Sequence, residues 1–210
     1  MLLKRTIDIV LALFALIVLS PLLALIALAI WVDSGRPVLF VQQRVGRGLE
    51  GFRLYKFRTM RTEPGPSVTV AGDPRVTKVG RLLRASKLDE LPQLWNVLRG
   101  DMSFVGPRPE LPEYVELFRD RYVRILTVRP GITDLASVRF RDEEALLART
   151  ACPLKEYVER ILPQKLALAE EYLRRRSFWF DLTILAATAA AIFRPLSQVV
   201  MARRTEAQHM

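Results

Sequence analysis

The sequence contains very little of the residue types that form disulfides or bind zinc. Cys152 is the single cysteine of the 210 residues, and His209 is the single histidine. An internal disulfide is therefore excluded, and so is a zinc site built from cysteine and histidine. A catalytic metal, if the chain uses one, has to be bound by oxygen atoms, and magnesium and manganese prefer such ligands.

Acidic residues are also in deficit. The chain has 22 Asp and Glu against 32 Lys and Arg, which gives a formal net charge of +10. Such a charge attracts acidic lipid headgroups, nucleic acid and phosphorylated substrates, and it does not choose among them. Because 50% of the residues are hydrophobic, a chain of this length can bury the core of one domain and still provide a membrane element.

The N-terminal region, in contrast, is almost free of polar residues. An apolar run extends over residues 7–32, interrupted only by Asp8 near its start and by Ser20 and Pro21 at its middle. At about 1.5 Å per residue, a helix of this length crosses a bilayer once. The run is too long for a signal peptide, and no small-residue cleavage site follows it. A spanning helix and a helical hairpin that enters and returns are the two remaining interpretations.

Charges at both ends of this run bear on the choice between them. Basic residues lie before and after it: Lys4, Arg5, Arg36, Arg44, Arg47, Arg53 and Lys56. Under the positive-inside rule both ends prefer the cytoplasm, which a single span cannot provide. A break in the middle provides it, because Pro21 removes one helical hydrogen bond and the Ser20 hydroxyl can bind the carbonyl that is freed. On the residues alone, a kinked spanning helix remains the alternative.

The rest of the chain alternates between short strand patterns and amphipathic helices. Apolar runs at residues 38–41 and 52–55 flank a basic, Gly-containing segment and predict a small β-hairpin. Residues 62–74 are rich in Pro and Gly and predict a mobile loop. The last apolar run, which extends to residue 193, suits an interfacial or core helix better than a span. Helical periodicity recurs in three further segments: 76–84, 114–126, and 154–173 with a break allowed at Pro163.

The stretch richest in chemistry spans residues 86–110, where Asp89 and Glu90 stand side by side before a helical apolar pattern. If Asp89 caps this helix, Pro92 falls in the first turn, where its missing N–H costs little. Both carboxylates then lie at the positive end of a helix, which also attracts phosphate. A carboxylate and a phosphate repel each other there unless a divalent cation or an arginine lies between them. Arg108, on a stiff loop between two prolines, can supply that charge.

On these residues alone, a helix cap and a structural ion pair explain the acidic pair and Arg108 as well as catalysis does. The wider sequence changes this balance. Residues 86–110 read SKLDELPQLWNVLRGDMSFVGPRPE, which resembles the signature of the bacterial sugar transferase family, the monotopic phosphoglycosyl transferases in their small single-domain form. The resemblance continues through KFRTM at 56–60, RPGIT at 129–133 and SFWFDL at 177–182, and it covers the chain up to about residue 190.

The resemblance implies an α+β fold that is mainly helical, in a monotopic protein of the bacterial inner membrane. The expected parts are a re-entrant helix-break-helix over residues 1–34, with its bend at Ser20 and Pro21, a cytoplasmic catalytic domain over 35–195 and a tail over 196–210. A small β element and amphipathic interfacial helices are expected as well. Family members are often dimeric, so a homodimer is a further expectation.

A reaction is implied too. A sugar 1-phosphate passes from a nucleotide sugar, usually a UDP-sugar, to polyprenol phosphate at the cytoplasmic face of the membrane. The transfer runs through a covalent aspartyl-phosphosugar on Asp89 and starts polysaccharide or glycoprotein synthesis. The expected partners are therefore a nucleotide sugar, polyprenol phosphate and the lipid bilayer, and no nucleic acid.

The same resemblance suggests roles for individual residues. Asp89 is the expected nucleophile and the ligand of Mg²⁺, with Mn²⁺ as a second choice. Glu90 is the second catalytic residue and positions the nucleophile, the metal or the incoming lipid phosphate. The residues expected to bind substrate are Lys56, Arg58, Arg108 and Arg129.

The chain departs from the family pattern at three positions. Where members commonly continue GITGxAQVxGR, this chain has Asp134 for a glycine and Ser137 for a glutamine, and Ala169 stands where many relatives carry an aspartate. The sugar preference is therefore open, and so is a role for Glu170 as a replacement. A non-catalytic basic scaffold on acidic lipids and a relative with a different acceptor are the alternative functions.

Overall fold

A computed structural model describes residues 2–63, 65 and 68–193, and its first element is helix α1, Leu2–Ser34. With 33 residues, α1 is about 50 Å long, and it is the one helix in the described residues whose length and composition suffice to cross a membrane. Pro21 lies inside it. The Ser20 hydroxyl donates to the carbonyl of Ile17 at 2.8 Å, which is the acceptor that Pro21 leaves free. The predicted hydrogen bond is thus confirmed, whereas the predicted break is not seen as an interruption of the helix.

One face of α1 packs on the rest of the protein from one end to the other. Ala12 contacts a cluster that includes Leu94 and Val97, and Ile26 and Ile30 contact a second cluster. The opposite face is apolar and exposed along both halves of the helix: Leu3, Ile9, Val10, Leu11, Leu13, Phe14, Ile17, Val18, Leu25, Leu28, Trp31 and Val32. The helix is apolar on all sides, and protein covers only one of these sides. The exposed apolar surface is therefore suited to lipid.

The predicted β-hairpin is confirmed. Strands β1, Leu39–Val45, and β2, Gly51–Phe57, pair antiparallel in a register that joins Leu39 to Phe57 and Val45 to Gly51. Gly48 in the connecting turn has φ 70°, a left-handed conformation that glycine adopts without strain. The hairpin leaves Lys56 near the end of β2, next to the chain segment that carries the acidic pair.

The local structure around that acidic pair differs from the prediction. Helix α2, Lys78–Ser86, ends at Lys87 in the left-handed conformation, and a short 3₁₀ turn, Leu88–Glu90, precedes helix α3, Gln93–Arg99. The N-cap position of α3 is Pro92, and no side chain caps it. The interpretation of Asp89 as a helix cap is therefore wrong, because the chain reverses at Lys87 and places Asp89 inside the 3₁₀ turn.

A second, parallel sheet brings two distant loops together. Strand β3, Ser103–Val105, pairs with strand β4, Gly131–Thr133. Beyond the strands, Gly106 N donates to Thr133 O at 3.1 Å and Gly131 N to Pro107 O at 3.0 Å. A Cβ on Gly106 would lie 2.4 Å from the carbonyl oxygen of Arg129, so the loop that carries Arg108 requires glycine there.

Short helices form the remainder of the described chain. The predicted helix over 114–126 is split at Phe118, whose φ of −126° and ψ of 36° are not helical. The predicted helix over 154–173 is continuous across Pro163, with a π-helical turn, Tyr157–Ile161, just before it, which accommodates the missing N–H. The elements are α4, Pro112–Leu117; α5, Arg119–Ile125; α6, Leu135–Arg139; α7, Glu143–Leu147; α8, Pro153–Glu156; α9, Leu162–Arg175; and α10, Phe178–Phe193.

The main core lies between α5, α9 and the β-hairpin and is built around side chains such as Tyr122, Ile125 and Leu162. The mainly helical α+β fold is thus as predicted, with two small sheets. The predicted tail over 196–210 lies outside the described residues.

Candidate functional site

The ion cluster of Lys56, Glu90 and Arg108 is the centre of the site. Oε1 of Glu90 accepts a hydrogen bond from Lys56 Nζ at 2.9 Å and another from Arg108 Nη2 at 2.7 Å. The three residues come from the end of β2, the 3₁₀ turn before α3 and the loop after β3. The fold therefore brings together three of the residues that the sequence proposed for the site.

Asn96, which the sequence analysis did not identify, sets this geometry. It is fully buried in α3, where Oδ1 accepts from Tyr55 N at 3.1 Å and Nδ2 donates to Arg53 O at 2.7 Å and to Asp101 Oδ2 at 3.0 Å. Its amide thus pairs with the β2 backbone as a neighbouring strand would. A polar residue within the apolar run from Trp95 to Leu98 is the only signal of this role in the sequence.

The loop that carries Arg108 is held at several points, as a stiff loop requires. Arg44 of β1 donates to the Pro109 carbonyl at 3.2 Å and forms an ion pair with Glu110 at 3.3 Å. The buried Tyr157 hydroxyl donates to the same Glu110 carboxylate at 2.9 Å. These contacts fix the backbone next to Arg108, and this fixed backbone helps to direct the guanidinium of Arg108 at Glu90.

The two adjacent carboxylates have opposite electrostatic environments. Burial raises the pKa of Asp89 above its ordinary value, although Lys56 acts in the opposite direction. Burial alone would also raise the pKa of Glu90, but Arg108 and Lys56 together hold that pKa well below its usual range. Glu90 is therefore a stable counter-ion, whereas Asp89 is the more basic and more nucleophilic of the two.

The two cations respond to the same charges. Burial lowers the pKa of Lys56 from its ordinary value, against the opposing effect of Glu90. The pKa of Arg108 is raised, chiefly because its guanidinium faces Glu90. With all four side chains ionised, the site has no net charge, so a bound diphosphate would bring negative charge that these residues do not balance.

A cavity of about 360 Å³ opens beside the ion cluster and is large enough for part of a nucleotide sugar. Glu90 and Arg108 line one side of it, and Ser137, Arg141 and Lys165 contribute to the wall. Asp89 is not among the lining residues and is only 8% exposed. The carboxylate with the more nucleophilic environment is thus buried outside the cavity lining, next in the chain to the one that lines it.

Asp89 provides a test of whether a magnesium ion fits. Its Oδ1 is buried and has no hydrogen-bond partner within the described part of the chain, which makes it a carboxylate oxygen free to bind a cation. No group of three or more acidic, cysteine or histidine side chains that could hold a metal occurs in residues 2–63, 65 and 68–193. Since Mg²⁺ is commonly bound by one or two carboxylates together with substrate phosphates, the residues fit an ion that binds along with a diphosphate.

Two of the proposed substrate-binding arginines lie elsewhere. Nη2 of Arg58 donates to the carbonyls of Ser34 and Gly35, both at 2.7 Å, at the end of α1. Arg58 follows the last residue of β2, so it lies just outside the strand that carries Lys56. Nε of Arg129 donates to the Gly100 carbonyl at 2.7 Å, at the C-terminal end of α3. Both arginines have structural partners at these places.

The acidic residue that could have replaced the missing aspartate is also engaged elsewhere. Glu170 accepts two hydrogen bonds from Arg121 of α5, at 2.8 and 2.9 Å, and Ala169 is buried beside it. The side-chain hydrogen bond from Arg121 lowers the pKa of Glu170. This geometry assigns Glu170 to the packing of α9 on α5.

Comparison with known proteins establishes the family. The model of the family described as bacterial sugar transferase matches residues 1–195. The chain belongs to the bacterial sugar transferase family. This confirms both the family and the class of enzyme that the sequence motifs predicted.

Characterised relatives of this bacterial sugar transferase differ in the sugar that their names state. The chain is 44% identical over 195 residues to the UDP-glucose:undecaprenyl-phosphate glucose-1-phosphate transferase of Caulobacter vibrioides, covering 90% of this chain and 69% of the relative. It is 40% identical over 194 residues to the Escherichia coli K12 protein of the same name, with coverage of 89% and 39%. It is 35% identical over 210 residues to the undecaprenyl-phosphate galactose phosphotransferase of Salmonella typhimurium, with coverage of 91% and 40%. The chain thus spans well under half of the last two proteins.

Proposed function

We propose that this chain transfers a sugar 1-phosphate from a UDP-sugar to undecaprenyl phosphate and thereby starts the synthesis of a polysaccharide or glycoprotein glycan. The ion cluster of Lys56, Glu90 and Arg108, with the buried Asp89 next to Glu90 in the chain, is the observation that carries this proposal. Relatives with this reaction in their names support the choice of donor and acceptor. Because those names include both glucose and galactose, the sugar itself stays open.

Two displacements at phosphorus account for the reaction. A carboxylate oxygen of Asp89 forms a bond to the phosphorus next to the sugar, and the bond from that phosphorus to the leaving nucleoside monophosphate breaks. An oxygen of undecaprenyl phosphate then attacks the same phosphorus and displaces the Asp89 carboxylate. The products are UMP and a sugar linked to the lipid through a diphosphate, and the enzyme returns to its starting state.

Asp89 is a better candidate nucleophile than Glu90. Glu90 faces the cavity, but two cations share one of its oxygens and its pKa is strongly lowered, so its electron pairs are poorly available. Asp89 has a raised pKa and an unpaired oxygen within the described residues. Since Asp89 is buried and does not line the cavity, the attack requires its side chain to reach the cavity when the donor binds.

The cations stabilise charge that develops during the displacement. Lys56 and Arg108 donate to Glu90 in this state, and their remaining N–H groups are available for the oxygens of a diphosphate. Glu90 holds both cations in place. A magnesium ion bound through Asp89 and the diphosphate would supply the positive charge that the residues of the site do not provide.

The membrane arrangement proposed here is re-entrant, with α1 entering and leaving the bilayer by the cytoplasmic face of the inner membrane. Lys4 near its start forms an ion pair with Asp181 of α10, and Ser34 at its end accepts from Arg58. Both ends of the helix are thus held by one domain, which a straight span would separate across the bilayer. Exposed Phe178 and Trp179 on α10 provide further apolar surface for an interfacial position. Homodimerisation stays a prediction from the family.

An assay of UMP release tests the function. The purified protein in detergent is incubated with undecaprenyl phosphate and, in turn, UDP-glucose, UDP-galactose and UDP-N-acetylgalactosamine. We expect release with at least one donor, and none with Asp89→Asn, while the matched variant Asp120→Asn at an exposed carboxylate stays active. Absence of release with every donor would favour the non-catalytic scaffold, and release without a lipid product would indicate a different acceptor.

Mass spectrometry of the protein incubated with donor alone then locates the intermediate. A sugar-phosphate adduct on Asp89 is the expected result. An adduct on Glu90, or product formation with no adduct on either carboxylate, would contradict the assignment of Asp89 as the nucleophile.

A further inference from the structure

Asp134 occupies an unusual place directly behind the site. It follows β4 and caps α6, and it is only 3% exposed. Its Oδ2 accepts from the backbone N–H of Arg108 at 3.2 Å, while its Oδ1 accepts from Ser137 N at 2.7 Å and from Ser137 Oγ at 2.6 Å. Both oxygens of this buried carboxylate therefore accept hydrogen bonds: Oδ1 from Ser137, which lines the cavity, and Oδ2 from Arg108, which belongs to the ion cluster.

Arg108 connects Asp134 to the reacting centre. Its backbone N–H binds Asp134, and its guanidinium binds Glu90 at 2.7 Å. The negative charge of Asp134 also contributes, after that of Glu90, to the raised pKa of Arg108. The backbone that positions this guanidinium is thus held by a residue that does not itself line the cavity.

The chemistry of these contacts requires a carboxylate. All three partners are N–H or O–H donors, and a carboxylate accepts from all of them. An asparagine of the same size would direct its NH₂ group at one of the donors, which would lose its partner in a buried place. Because the Ser137 hydroxyl donates its proton to Asp134, it can only accept a hydrogen bond from a ligand in the cavity.

We propose that Asp134 is a positioning residue that acts through Arg108, holding its backbone so that the guanidinium meets both Glu90 and the diphosphate of the donor. This inference rests on the function proposed above. Asp134 is one of the positions at which the chain departs from the common pattern of its family, so this way of holding the arginine distinguishes the chain from relatives that have glycine there. Loss of Asp134 should weaken donor binding and leave the chemistry of the lipid acceptor largely unchanged.

A double-mutant cycle with Arg108 tests this role. UMP release is measured as a function of donor concentration for the wild type, Asp134→Asn, Arg108→Ala and the double variant, and thermal unfolding in detergent is followed for all four. In the wild-type background, Asp134→Asn should raise the KM for the donor by about tenfold or more, as expected for loss of a buried hydrogen bond to a charged group. In the Arg108→Ala background the same change should alter the KM by less than about threefold.

The unfolding temperatures separate positioning from simple destabilisation. Asp134→Asn should lower the unfolding temperature by the same amount in both backgrounds, because one buried N–H or O–H donor loses its acceptor in both. Asp120→Asn is the matched control, since it makes the same change at an exposed carboxylate outside the cavity lining, and its KM should stay within about threefold of the wild type. If Asp134→Asn does not fold, Asp134→Ser retains a capping side chain and is expected to show the same KM effect.

The outcomes distinguish the two proposals. Equal increases in KM in both backgrounds, or an increase with Asp120→Asn as large as that with Asp134→Asn, would overturn the role of Asp134 while the function stands. A wild-type protein that releases UMP from no donor would overturn the proposed function and this inference with it.

Discussion

The side chain of Asn96 pairs with the backbone of Tyr55, although one residue lies in a helix and the other in a strand. Asn96 Oδ1 accepts from Tyr55 N at 3.1 Å across 41 residues of sequence, and its Nδ2 completes the pair through Arg53 O. This contact fixes the position of α3 along β2. Lys56, the next residue after Tyr55, is thereby placed against Glu90, which precedes α3, so the ion pair of the site depends on an amide that is not part of it.

Replacement of Asn96 should therefore damage stability and the site together. Asn96→Ala removes the partner of the Tyr55 N–H and of the Arg53 carbonyl and leaves space at a fully buried position, and we expect a loss of roughly 2–4 kcal/mol in the free energy of unfolding. Chemical denaturation in detergent measures it. Arg99→Ala, at an exposed position of the same helix, is the control and should change stability by less than about 0.5 kcal/mol. A loss as small as the control's would contradict the role of Asn96.

The pH dependence of turnover should follow Asp89 on its acid side. The nucleophile has to be ionised, and burial raises the pKa of Asp89 above its ordinary value, so activity should decline at a higher pH than an unperturbed aspartate would give. Glu90, with its lowered pKa, stays ionised through that range. A profile of kcat/KM between pH 4 and 9 measures the acid limb.

Lys56 provides the check on that assignment. Its charge lowers the pKa of Asp89, so Lys56→Met should raise that pKa further and move the acid limb of the remaining activity to higher pH. The loss of a cation near the diphosphate should also reduce kcat/KM by about tenfold or more. An acid limb that stays in place, or moves to lower pH, would show that the titrating group is not Asp89.

The two ends of α1 should be accessible from the same side of the membrane. In a Cys152→Ser background, Leu3→Cys and Arg36→Cys place single thiols at exposed positions near each end. A maleimide that cannot cross membranes should label both thiols in inverted inner-membrane vesicles and neither in intact spheroplasts. Labelling of one end from each side would establish a spanning helix and contradict the re-entrant arrangement.

Turnover should require a divalent cation. The ionised side chains of Asp89, Glu90, Lys56 and Arg108 sum to zero charge, so these four residues do not balance a bound diphosphate. The other cations of the cavity wall, Lys87, Arg141 and Lys165, are partly offset by Glu143 and Glu144. Addition of EDTA should abolish UMP release, and Mg²⁺ in excess should restore it, with Mn²⁺ as a substitute. Full activity in EDTA would remove the metal from the proposal. A donor-binding measurement with and without Mg²⁺ gives a second readout, since affinity for the diphosphate should fall when the ion is withdrawn.

Local patterns in the sequence predicted secondary structure and contacts well where these depend on residues that are close together in the chain. The β-hairpin followed from two short apolar runs around a basic segment, and the Ser20 hydroxyl binds the carbonyl freed by Pro21 because the two are neighbours in one helix. The split of the helix over 114–126 is not predicted, since helical periodicity continues through Phe118 while its backbone does not. The contact of Arg58 with the end of α1 is not visible in the sequence either, because the two segments meet only in the folded chain.

The sequence by itself determined the family, the long apolar helix and the three charged residues that form the ion cluster, because each of these is carried by composition or by a continuous motif. Only the tertiary structure decided that Glu90 binds both cations while Asp89 is buried outside the cavity lining. It also decided that Arg129 and Arg58 bind backbone carbonyls at the ends of α3 and α1, and that Asp134 binds Arg108. These outcomes depend on burial and on contacts between segments far apart in the chain. Both the pKa of a carboxylate and the partner of an arginine are properties of that environment rather than of the residue.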